Sequence, residues 1–158
     1  MNQIQNIPAD LQFGDILLYD KPGDLEDEVI DLHTGDDVAH AEVYHGKGLS
    51  IAARAGGVNF YDFRPDGLKY VRRPAGLLDQ GAADMWFYHG IRGLPYGWAG
   101  LLTFVDVEVP STGLICSVTV ALLLKQAGNP LFADDYPIHK ISPRDLKVTR
   151  EAVTVYSA

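Results

Sequence analysis

One cysteine, Cys116, stands in the stretch GLICSVTVALLL, and the chain carries five histidines, His33, His40, His45, His89 and His139. A thiolate beside an imidazole is the nucleophile and base of acyl-transfer chemistry. Cys116 falls near the start of a segment with helical character. Ser111 or Thr112 can cap that helix, and Gly113 leaves little bulk beside the sulfur. The unpaired N–H groups of a first helical turn carry partial positive charge. They lower a thiol pKa and can hold the oxyanion of a tetrahedral intermediate. The competing role is a plain core residue, because free cysteine is among the most buried residue types. A single cysteine excludes an internal disulfide framework and a cysteine-based structural zinc site.

Among the histidines, His40 opens the strand-like run HAEVYHG. His45 lies an odd number of positions further on, so it points to the opposite face and is expected to be exposed at the turn. His33 and His139 fall in polar loops, and His89, beside Trp86 and Tyr88, is expected to pack in a helix. A metal site would have to combine His33, His40 and His45 with Asp36 and Asp37. That set matches no ligand spacing, so no metal or other cofactor is expected.

The elements that must position these groups follow from pattern. FGDILLYD, VAHAEVYHG, LSIAAR, GGVNFYDF and LKYVRRP read as strands joined by turns, with HGKG a tight hairpin turn. LEDEVIDLH reads as a short helix with Leu25, Val29 and Leu32 on one face. AGLLDQGAADMWFYHGI and GLPYGWAGLLTF read as helical segments, and LICSVTVALLLKQAG as a helix with Cys116, Val120, Leu123 and Ala127 on one face. Gly128 suits its C-terminal cap and Pro130 its stop. Pro143 in SPRDL suits a first helical turn, and AVTVYS closes the chain as a strand. Strands first and helices later predict one α+β domain over 1–158.

Composition narrows the partners. Net charge is −8, and ten carboxylates with one lysine lie between Asp10 and Asp37. No basic footprint for nucleic acid is present. The acidic run lacks the alternating ligands of an EF-hand loop. It leads directly into His40, which predicts that residues 20–37 border the site. The opening MNQIQNIPADLQFGD has no signal-peptide pattern, and no apolar run approaches a membrane span. The cytoplasm is therefore the default expectation, with packaging in a virus particle the other location compatible with the residues.

Five motifs in order resemble permuted papain-like hydrolases of the NlpC superfamily, in the YiiX-like branch. LQFGDILLY resembles their Gly-Asp strand, and TGDDVAHAEVYHGKG their histidine strand. GLPYGWAGLL resembles the segment before the nucleophile helix, LICSVTVALLLKQAG that helix, and ISPRDLKVT the closing Ser-Pro segment. The resemblance covers roughly residues 12–149. It implies a small antiparallel sheet packed against the nucleophile helix, with Cys116 as nucleophile, His40 as base and then acid, and the Cys116 N–H in the oxyanion hole.

The chain departs from that pattern twice. The family sets a third polar group on the strand after the histidine, where LSIAAR has Ala52 and Ala53. Ser50 is the favoured orienting residue there, because Arg54 would oppose an imidazolium. Glu42, two positions from His40 on the same face, is another candidate, as are a backbone carbonyl or water. Peptidoglycan-cleaving members place an aspartate before the cysteine, where this chain has Ile115, and Val118 replaces a glycine. The expected function is a cysteine amidase or peptidase on small peptide-like substrates, with cell-wall peptides one such class. The first alternative is an acyltransferase or lipase like the lecithin–retinol acyltransferases, with an apolar groove at Trp98, Leu101 and Phe104. The second is a catalytically inactive binding or structural domain, for example in a phage particle. The oligomeric state is not predicted.

Overall fold

Six segments bounded by turn residues pair into one antiparallel sheet. The strands are β1 (Ile16–Tyr19), β2 (His40–Gly46), β3 (Leu49–Arg54), β4 (Gly57–Asp62), β5 (Leu68–Pro74) and β6 (Ala152–Ser157), in the spatial order β4-β3-β2-β1-β5-β6. Every strand expected from the sequence is present. The computed structural model describes residues 7–20, 37–54, 56–94, 115–138 and 141–158. Three helices complete the described part: α1 (Gln80–Trp86), which runs on as a π-helical turn (Phe87–Ile91), α2 (Ile115–Gln126) and α3 (Pro143–Val148). The chain is therefore an α+β protein. No described helix is long and apolar enough to cross a membrane.

Turn chemistry fixes the register around the site. Lys47 and Gly48 join β2 to β3 with positive φ at both positions (54° and 76°), the conformation of a tight hairpin whose twist matches its strands. Gly46↔Leu49, Tyr44↔Ser50 and Val43↔Ile51 then pair, and the β2–β3 ladder ends there. On its other side β2 pairs with β1 from Ile16↔Val43 to Tyr19↔His40. Residues 40–42 thus have a ladder partner only on the β1 side.

The sheet has two dressed faces. Ile16, Leu18, Ala41, Val43, Ile51 and Ala53 face the helices and share a core with Ala83, Phe87, Val118, Leu123 and Leu124. Leu17, Tyr19, Leu68 and Val71 face the other way, under Ile7, Leu11, Tyr44, Phe63 and Tyr156. Burial on both faces explains why β1 reads as a continuous apolar run with no alternation.

Helix boundaries follow the caps. α1 begins at Gln80 and not at Ala75, because Gly76 takes φ +91° and the Asp79 side chain accepts the Ala82 N–H at 2.9 Å. α2 ends as expected at a left-handed Gly128 (φ 86°), with the Asn129 N–H reaching the Leu124 carbonyl at 3.0 Å. The single apolar face expected for α2 is too narrow, since Cys116 through Ala121, Leu123 and Leu124 are all buried. A helix buried nearly all round needs no polar stripe. At α3, Ser142 and Asp145 form a reciprocal capping box ahead of Pro143.

Some expectations lie outside the described residues: the helix over LEDEVIDLH, the acidic 20–37 border beyond Asp20 and before Asp37, the Trp98–Leu101–Phe104 groove, the caps at 111–113, and His33 and His139.

Candidate active site

The site forms where β2 has lost one neighbour. Successive residues of a strand send their N–H groups to opposite sides. The Tyr44 N–H bonds the Asp15 carbonyl on the β1 side at 2.8 Å. By alternation the Ala41 N–H is turned toward β3, where the ladder has already ended. That amide donates to the Cys116 sulfur instead, as does the Ser117 N–H. α2 packs across β2 and β3, and its start is tied down by the Ser117 hydroxyl, which donates to the Ile141 carbonyl at 2.7 Å. Ala41 packs into the helix-side core one position beyond His40, so strand and helix meet at the sulfur.

His40 is hydrogen-bonded to Cys116. Its Nε2 lies 2.9 Å from Glu42 Oε1, and both side chains are buried. An ionised carboxylate only accepts, so Nε2 carries the hydrogen and Nδ1 is the nitrogen left to serve the sulfur. Glu42 is held on every side. Ser50 Oγ donates to Oε2 at 2.6 Å, Arg54 Nε donates to Oε1 at 2.8 Å, and Arg54 Nη2 lies 2.7 Å from the same oxygen. Arg64 Nη2 stands further back, at 4.0 Å. Its guanidinium covers the Tyr19 ring at 4.7 Å, and the Tyr19 hydroxyl donates to the Arg64 carbonyl at 3.1 Å. The Tyr19 ring in turn stands 6.0 Å from the His40 ring. Arg54 also lies over the Tyr61 ring, at 4.4 Å.

These contacts reverse what burial alone would do. Burial presses His40 toward neutrality, but the Cys116 thiolate and the Glu42 carboxylate outweigh it and raise its pKa from 6.5 to about 9. Burial presses the Cys116 thiol upward, but the His40 imidazolium and the Ala41 and Ser117 amides bring its pKa below the ordinary thiol value. Burial also works against the Glu42 carboxylate, and His40, Arg54 and Ser50 still hold it at about 2. All three shifts favour an imidazolium–thiolate pair with a carboxylate behind it. A pair of this kind can add to a carbonyl and then protonate a leaving group.

The sequence-selected residues fall out as follows. Cys116 and His40, drawn from α2 and β2, are in contact. Ser50 is close by but bonds Glu42, not His40. Ser50 therefore orients the imidazole only through the carboxylate, and Glu42 occupies the orienting position itself. Arg54 does not oppose the imidazolium face to face, because its fork is turned onto Glu42. Arg64, on the β4–β5 connection, was not singled out, and no spacing signals a loop residue that folds back. A buried glutamate beside a histidine does signal that a cation must be near, and LSIAAR offers just one.

The other histidines stand apart. His45 is half-buried and not exposed at its turn: Nε2 is 2.8 Å from Asp84 Oδ1, and the ring meets Phe60 and Phe13 edge-on. His89 is exposed on the π-helical turn and not packed, because that turn buries Phe87 and Ile91 instead. Among the described residues no group of three or more His, Cys, Asp or Glu side chains could hold a metal ion. No family model matches the chain, and neither curated proteins nor solved structures give a significant match.

Proposed function

We propose that the chain is a cysteine hydrolase, an amidase or peptidase built like the permuted papain-like enzymes, acting on small peptide-like amides. The observation that carries this reading is the contact of Cys116 with His40, whose other nitrogen is bound by buried Glu42. In this mechanism the Cys116 thiolate attacks the amide carbon. The tetrahedral oxyanion is held by N–H groups at the start of α2. As the C–N bond breaks, the His40 imidazolium gives its proton to the departing nitrogen, leaving a thioester on Cys116. Neutral His40 then takes a proton from water as the water oxygen attacks the thioester carbon. Collapse frees the acid, and the proton on His40 restores the imidazolium–thiolate pair. Glu42 keeps Nε2 protonated throughout and stabilises the cationic form.

Ala52 and Ala53 leave the family's orienting position without a polar group, which would favour an inactive relative, but Glu42 supplies that group from β2. The test is the pH dependence of Cys116 alkylation by iodoacetamide, in the native chain and in His40→Ala. Labelling that stays fast well below the ordinary thiol range and is slowed by His40→Ala supports the reading. A screen for thioester formation with amide and ester substrates, read by intact mass, then follows. A labelling midpoint at or above the ordinary thiol value, unmoved by His40→Ala, would overturn it.

A further inference from the structure

We infer that Arg54 is a positioning residue for the Cys116–His40 pair, acting through Glu42 by clamping the one carboxylate oxygen that receives His40 Nε2. The inference rests on the proposed function and adds a layer to it. Glu42 Oε1 is the hub: His40 Nε2 lies at 2.9 Å, Arg54 Nε at 2.8 Å and Arg54 Nη2 at 2.7 Å. The other oxygen is taken by Ser50 at 2.6 Å. The carboxylate therefore has no freedom to rotate away from the imidazole. Both ends of the clamp come from β3, from the first and last thirds of LSIAAR. They straddle the point where the β2–β3 ladder has ended, so the side chains of Ser50 and Arg54 replace the missing backbone pairing as the link between the strands.

The charges facing this cluster can be named from each element. β1 contributes Tyr19, β2 His40 and Glu42, β3 Arg54, the β4–β5 connection Arg64, and α2 Cys116. Of the two arginines, Arg54 is the one in direct contact with Glu42, while Arg64 is held off at 4.0 Å and lies over the Tyr19 ring. Among the described residues, a wholly buried Glu42 carboxylate without Arg54 would keep His40 and Ser50 as its close partners. Arginine suits this role because its planar guanidinium donates Nε–H to Oε1 while holding Nη2 beside the same oxygen as an ion-pair contact, an orientation a lysine ammonium does not fix.

The experiment is a double-mutant cycle read by the pH profile of Cys116 alkylation with iodoacetamide, using Arg54→Met, Glu42→Gln and the double variant in the full chain. Arg54→Met is expected to raise the acid midpoint by about one pH unit, a roughly tenfold loss of labelling at any pH below the native midpoint. Arg54→Lys is expected to recover less than half of that loss. In the Glu42→Gln background, Arg54→Met should add less than a threefold further loss, because its route to His40 is already cut. The double variant removes the Glu42 and Arg54 charges together, so it is expected to fold even where one single variant leaves its partner unpaired and unfolds. If only it folds, it should label about tenfold more slowly than the native chain at any pH below the native midpoint. Additive losses in the cycle, full recovery by lysine, or a native profile in Arg54→Met or in the double variant would each overturn the inference. A native chain that already shows an ordinary thiol midpoint would instead overturn the proposed function, and this inference with it.

Discussion

Glu42 makes acid stability a direct readout of the buried cluster. Its side chain has no exposed surface, and its pKa falls from 4.5 to about 2. Burial opposes that fall, and the contacts with His40, Arg54 and Ser50 more than offset it. A group whose folded pKa is depressed stabilises the fold fully above its unfolded pKa. That stability is lost as pH drops through the folded pKa. The window here runs from about pH 4.5 down to about pH 2. At ~1.4 kcal/mol per pH unit, the drop corresponds to about 3 kcal/mol at pH 7, of which about 2 kcal/mol is gone by pH 3. The perturbation is Glu42→Gln, made in a Cys116→Ala background so that no thiol titrates in the window. His40 is protonated in both folded and unfolded states below about pH 5 and drops out of the comparison. Urea unfolding at pH 5, 4 and 3 gives two stability curves, and their difference removes the contribution of the other carboxylates. The expected difference shrinks by about 2 kcal/mol between pH 5 and pH 3. A difference that stays constant over that range would refute the account of Glu42 as a carboxylate held by three partners.

Ser50→Ala removes the 2.6 Å donor to Oε2 and leaves a buried acceptor short of a partner, at about 1–3 kcal/mol by urea unfolding. Its effect on Cys116 labelling is expected to be smaller than that of Glu42→Gln, because the His40 contact is kept. Ser142→Ala breaks the capping box of α3 and should lower stability by about 1 kcal/mol while the labelling profile stays native. Gly14→Ala is expected to cost about 2 kcal/mol or more, since Gly14 sits at φ +89° and an added Cβ would lie 2.0 Å from Leu78 Cδ1. A thermal melt indistinguishable from the native chain would count against that strain.

The strands were legible because each announces itself locally, by apolar runs such as ILLY and by turn residues such as HGKG. The helix around Cys116 was legible for the same reason, with Gly128 marking its end. What the sequence could not rank was the set of partners behind His40. Ser50 and Glu42 both lie on the correct face by alternation. The choice between them depends on how far β3 stands from β2, a distance set by where the ladder stops. The charge of Arg54 alone opposes an imidazolium, but its direction decides its role: a guanidinium turned onto a carboxylate serves the opposite purpose. A turn position does not make His45 exposed, because α1 and Phe60 close over that turn.

The order in which the chain supplies these parts has its own consequence for a protein being made. Glu42, Ser50, Arg54 and Arg64 lie within one continuous stretch with His40, on neighbouring hairpins of the sheet. The sulfur belongs to a helix synthesised much later and is drawn to His40 only when α2 lies across β2 and β3. On the proposed function the sulfur gains its partner only once α2 has docked on the sheet, so thiol labelling would double as a readout of that docking.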